Sequence, residues 1–92
     1  MTARLLTVTL GAGATQIAAT FTPFNLMLVQ NNGAASANLG DATVTASLGL
    51  TLAASGAANS LVSIGPFSGQ QGDASQFYLY GTATDTVTVL LV

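Results

Sequence analysis

The chain has 92 residues, half of them hydrophobic, with one basic residue, Arg4, three acids, Asp41, Asp73 and Asp85, and no His, Cys, Lys or Glu. This length fits one domain, and the residue set excludes disulfides, cysteine metal sites and any serine nucleophile activated by histidine. A single cation also argues against binding nucleic acid or anionic lipid, which takes several cationic contacts.

The dominant period along the chain is two, the spacing at which one face of a strand enters a core while the other stays wet. The first predicted strand covers 4–10, where Leu6, Val8 and Leu10 alternate with Thr7 and Thr9. Arg4, Leu5-Leu6 and Ala12-Gly13-Ala14 resemble a short export signal. The stretch between them is broken by Thr and falls short of the usual core of about 7–15 apolar residues, so no cleavage is expected. Gly11-Ala12-Gly13 reads as a turn, since a dinucleotide fingerprint needs a third glycine and a following helix. A second strand is predicted at 15–20 and a third at 24–30. Asn31-Asn32-Gly33 follows, and Asn32-Gly33 is the strongest hairpin signal in the chain, because both residues tolerate the positive φ of a type I′ turn.

Further strands are predicted at 36–39, 42–46 and 48–53, and the Ala-rich piece from Leu52 to Ala58, broken by Ser55 and Gly56, reads as a loop. Strands at 60–64, 76–80 and 85–91 complete the set, separated by Gly65-Pro66, by Ser68 to Asp73 and by Gly81 to Asp85. Some of these nine segments must merge or fail, leaving about seven or eight strands. The expectation is an all-β, antiparallel β-sandwich of jelly-roll type, one domain over 1–92, with no substantial helix. No apolar run approaches the ~18 residues of a membrane helix.

The residues offer little chemistry. Each Asp sits beside turn residues, where its side chain bonds nearby backbone N–H groups. A metal site would need the three to converge. No enzyme activity, cofactor or metal is therefore expected. Thr-Val-Thr occurs at 7–9, 43–45 and 86–88. An ice-binding face would need such Thr ranks at a regular repeat, and the irregular spacing favours Thr as a polar β-former on wet faces. Tyr78 and Tyr80 share one face of their strand, opposite Phe77 and Leu79, and suit contact with a partner or a sugar as well as internal packing. Phe67, after Gly65-Pro66, and Phe21, before Pro23, fall at predicted loop tips, where an aromatic enters a neighbour's pocket or plugs the sandwich end.

Charged residues make up 4% of the chain, against about 25% in an ordinary domain. A surface so poor in charge is expected to be covered by assembly or kept wet by Thr, Ser, Asn and Gln.

From Phe24 onward the order of features resembles small β-sandwich structural proteins of tailed bacteriophages, the decoration (cement) proteins of heads and modules of head fibres and tails. The resemblance rests on "VQNNGAASANLGDATVTASLGLTLAASG", "SLVSIGPFSG" and "DASQFYLYGTATDTVTVLLV", and within them on Gly40-Asp41, Val44-Thr45-Ala46, Leu50 to Leu52 and Tyr80-Gly81-Thr82-Ala83 with Asp85. It implies a virion protein on the capsid surface that binds the major capsid protein and its own copies, as a homotrimer on threefold lattice sites. Residues 1–23 lie outside it and would include an N-terminal arm or strand for partner contact. The alternative it implies is a receptor- or glycan-binding module of a head fibre or tail, using Tyr78, Tyr80 and Gln70-Gln71. Arg4, Leu5, Leu6, Phe67, Tyr78, Tyr80, Leu90 and Val92 are the residues expected at partner or subunit contacts. In the last strand Val87, Val89 and Leu91 are expected in the core, with Leu90 and Val92 against a second subunit or the capsid, on an otherwise unpaired strand.

Overall fold

A computed structural model describes residues 3–66 and 70–92. Its strands in chain order are β1 (Arg4–Thr9), β2 (Thr15–Gln16), β3 (Pro23–Phe24), β4 (Met27–Asn31), β5 (Ala37–Gly40), β6 (Leu50–Leu52), β7 (Leu61–Ile64), β8 (Gly72–Asp73), β9 (Tyr78–Tyr80) and β10 (Thr86–Leu91). The only helical element among the described residues is a three-residue 3-10 turn, Ala74–Gln76.

Every strand pairing is antiparallel. One sheet has the order β1-β10-β4-β7, the second β2-β9-β5-β6, and β3 pairs with β8 alone. Setting that small pair aside, the chain passes between the two large sheets at almost every connection. This is the strand order of a jelly roll. Val8, Met27, Val29, Val87, Val89 and Leu91 from the first sheet join Ala37, Leu39, Leu52 and Leu79 from the second in one buried cluster, together with Phe24 of β3. The alternation in β10 is complete: Val87, Val89 and Leu91 are buried, and Thr86, Thr88 and Leu90 are half-buried on the outer side.

The strand directions send the connections to two ends. The β1–β2, β4–β5, β6–β7 and β9–β10 connections gather at one; those after β2, β5 and β7 gather at the other. At this second end the Val92 N–H donates to the Leu26 carbonyl at 2.9 Å, and Asn25 and Leu26 N–H donate to the Val92 carbonyl at 2.7 and 3.1 Å.

Several expectations change. The last strand is not unpaired: β10 lies between β1 and β4 and bonds to both. The hydrophobic terminus is therefore sheet interior, where an apolar run belongs. Asn32-Gly33 does not form a type I′ hairpin. Neither residue has positive φ, and the strands on either side, β4 and β5, belong to different sheets. The Gly33 N–H is instead taken by the Asn31 side chain at 2.9 Å. The strand expected at 42–46 is a turn, because Asp41 accepts the Thr43 N–H at 2.9 Å and the Asp41 carbonyl accepts from Val44 at 3.0 Å. The strand expected at 24–30 is interrupted at Asn25 and Leu26, whose N–H groups go to Val92. The second strand stops at Gln16 rather than residue 20, and β8 arises inside a segment read as loop. Of the arm or strand expected before residue 23, the described residues have strands: 4–9 and 15–16 belong to the two large sheets.

Candidate functional site

The register of the first sheet builds a surface that no single strand shows. Residues 5, 7 and 9 of β1 face outward, as do residues 28 and 30 of β4 and 61 and 63 of β7. Leu5 stands beside Leu90, and Leu90 beside Leu28. Three leucines thus form a row across three adjacent strands. Leu5 is 67% exposed at its margin, while Leu90 and Leu28 are half-buried by their neighbours. The next row is Thr7, Thr88, Gln30 and Leu61, and the one after it pairs Thr9 with Thr86. Asn32 Nδ2 donates to Thr88 Oγ1 at 2.7 Å at the border of this array. The face carries no charged side chain. Arg4 shares the phase of the inward residues Leu6 and Val8, at the end of β1. Covering this face therefore strips water from no charge, which suits the core of a protein–protein interface.

The second sheet presents a different outer face. Tyr78 lies beside Gln16 and Gly40, and Tyr80 beside Asn38. Both rings are half-buried. Tyr80 forms one wall of a recess of about 350 Å³, with Ser36, Asn38 and Thr82 among its other walls. The Asn38 amide is oriented by donating to the Thr45 carbonyl at 2.7 Å.

Two of the three carboxylates, those of Asp41 and Asp73, hold turns by side-chain hydrogen bonds. Asp85 lies in the β9–β10 connection, where its N–H donates to the Thr82 carbonyl at 3.1 Å. Asp41 is held below the usual carboxylate range by the Thr43 hydroxyl and then by the Thr43 N–H. Asp73 is held low first by the Thr22 N–H at 3.0 Å and then by Ser75, whose N–H and hydroxyl lie at 3.0 and 2.8 Å. Asp73 thus joins the loop before β3 to the 3-10 turn, across 51 residues of sequence. Among the described residues no three His, Cys, Asp or Glu side chains come together.

A folded pKa below the unfolded value stabilises the fold above the ordinary carboxylate range and loses that contribution as pH falls through the folded value. Thermal stability is therefore expected to decline as the pH drops below about 4. The Asp73→Asn variant keeps an acceptor oxygen but cannot ionise, so it should show a shallower acid decline in a melting series from neutral to strongly acidic pH. An acid decline as steep as that of the parent chain would show that Asp73 does not contribute to it.

No protein-family model, curated protein or solved structure matches this chain.

Of the residues expected at contacts, Leu5 and Leu90 meet in the leucine row, and Arg4 stands exposed at the end of its strand. Leu6 turns inward and packs against the core, so it is not part of that surface. Tyr78 and Tyr80 lie on the other sheet, and Val92 is exposed at the sandwich end. Phe67 falls outside the described residues. The set thus divides between two faces and one end and makes no single site. Sequence reading missed Leu28 and Leu61, since their membership depends on which distant strands become neighbours.

Proposed function

We propose that the chain is a structural protein of a tailed-bacteriophage particle, a decoration protein that binds the outside of the capsid shell and stabilises it. The observation that carries this reading is the uncharged outer face of the β1-β10-β4-β7 sheet with its row Leu5, Leu90 and Leu28. A rigid, neutral, partly apolar sheet suits repeated docking on a protein lattice. Stabilisation follows by mass action: a subunit that binds only the assembled shell opposes disassembly by its binding free energy, summed over all sites. Threefold lattice positions would order its copies as trimers on the shell, with the major capsid protein as the partner.

The test is the copy number of the chain in purified particles, relative to the major capsid protein, by quantitative mass spectrometry. Hundreds of copies are expected, and none would overturn the reading. Adding purified chain back to stripped shells extends the test. The Leu90→Asp variant places a carboxylate in the middle of the row and is expected to lower shell occupancy about tenfold or more. Unchanged occupancy would move the docking surface elsewhere.

A second reading, a glycan-binding module of a fibre or tail, is favoured by the Tyr80 recess. It joins an aromatic wall to the neutral hydrogen-bonding side chains Ser36, Asn38 and Thr82. A handful of copies per particle would favour it over decoration.

A further inference from the structure

Phe21 is a large apolar side chain in open solvent. It is 70% exposed, the highest value among the large hydrophobic residues described. The chain behind it is fixed. The Thr22 N–H donates to Asp73 Oδ1 at 3.0 Å, the Thr22 carbonyl accepts from Ala74 at 2.9 Å, and the Thr22 hydroxyl donates to the Thr20 carbonyl at 3.0 Å. Phe21 is thus presented on a pinned loop, and ordering it against a partner costs little further entropy.

The same end of the sandwich holds a matching hollow. It lies where the margins of the two sheets, β6 and β7, part, and it measures about 300 Å³. Leu39, Leu48, Leu50, Ile64 and Phe77 line it, and Asp41 stands at its edge with its carboxylate already engaged by Thr43. Leu48 and Leu50 are 56% and 55% exposed there. A hollow of about 150 Å³ with such a lining accepts benzene, so this one has room for a benzyl group.

We propose that Phe21 of one copy seats in this hollow of a second copy. Knob and hollow lie at the same end, so a twofold pair can seat both at once, which closes the contact instead of propagating it. The areas agree with a second copy as the occupant. Phe21, Leu48 and Leu50 together present on the order of 300 Å² of apolar surface per copy. A reciprocal pair would cover roughly twice that, close to the ~700 Å² of apolar area in the smaller stable interfaces. Net charge opposes the pairing little, at −2 per copy.

This contact goes beyond the decoration reading and is tested without any shell. The purified chain should self-associate in sedimentation equilibrium, and Phe21→Ala should weaken the association about tenfold or more. Phe21 is exposed, so that variant should keep the circular dichroism and melting of the parent chain. Because the chain has no cysteine, a second measurement is direct. Isotope-labelled Phe21→Cys chain is mixed with unlabelled Leu48→Cys chain and mildly oxidised. Disulfide-linked pairs of one labelled and one unlabelled chain should predominate over both like pairs. The Leu90→Asp change, which lowers shell occupancy, should leave this association intact, so the two ideas fail separately. A chain that stays monomeric at about 1 mM overturns the proposal. So does an association that Phe21→Ala leaves unchanged, or cross-links no richer in mixed pairs than chance.

Discussion

Replacing Phe24 with alanine is expected to destabilise the fold by about 3–5 kcal/mol, the cost of emptying a buried aromatic site. The side chain has no exposed surface. Its ring meets that of Phe77 at a centroid distance of 5.9 Å and a tilt of 57°, an arrangement that adds to simple burial. The backbone of Gly72 lies against the tip of the ring: a Cβ there would stand 2.5 Å from Phe24 Cζ. The walls are therefore drawn from β8, from Phe77 at the end of the 3-10 turn and from the core, and they cannot all collapse inward when the ring is removed. A domain of this size holds only about 5–14 kcal/mol in total, so this one substitution would consume a large part of it. Urea unfolding should show a lower midpoint with an unchanged slope. A loss under about 1 kcal/mol would mean that the site closes over the deletion and that Phe24 is not the keystone of this end.

A second large effect is expected at the opposite end, where Asn31 takes the place of the turn that the sequence suggests. It is 1% exposed. Its Oδ1 accepts the Gly33 N–H at 2.9 Å, and its Nδ2 donates to the Ala35 carbonyl at 2.8 Å and the Ala53 carbonyl at 3.1 Å. One amide thereby holds the end of β4, the β4–β5 connection and the chain after β6. Asn31→Ala leaves those partners without it and should cost about 3 kcal/mol or more. Asn31→Asp keeps the shape but turns a carboxylate oxygen toward two carbonyl oxygens, which favours its neutral form and raises its pKa. The sign of its pH dependence then opposes that of Asp73. The penalty is full at neutral pH and is relieved as the pH falls through the raised folded value. Melting of Asn31→Asp across pH, set against the parent chain, checks this. A penalty that does not shrink on acidification would show that the carboxylate finds another donor.

These two residues also mark how far the sequence could be read. Alternation located β1, β7 and β10 and assigned Val87, Val89 and Leu91 to the core, because in these strands one phase is rich in Thr or Ser and the other is apolar. Around residues 24–30 both phases are apolar, so alternation could not choose between Met27, Val29 and their neighbours Leu26 and Leu28. The change of phase after Phe24 comes from Asn25 and Leu26 bonding to Val92, a contact from the far end of the chain. Val44 is buried as a strand residue would be, yet it sits in a turn, because Asp41 captures the Thr43 N–H that a ladder would use. The Asn-Gly signal failed for a related reason. Local propensity favours a hairpin, but β4 and β5 go to different sheets, and no neighbouring residue records that. Alternation put the tyrosine pair on one face of its strand, opposite Leu79, but could not say whether that face was wet or covered. The leucine row was not legible, since it exists only through the register of β1, β10 and β4.

The position of β10 also sets a timetable for synthesis. Arg4 is paired with Leu91 and Met27 with Leu91 from the other side. While the chain is being made, β1 and β4 emerge early and have nothing between them. The first sheet cannot close until residues 86–91 have left the ribosome, and two open strand edges wait through that interval. Long-range pairing of this kind is slow to form and exposed to mispairing between nascent chains. The Thr-rich outer positions of β1 keep one side of that waiting strand wet. The arrival of β10 between them therefore ends the period in which the chain is most prone to stick to its own copies.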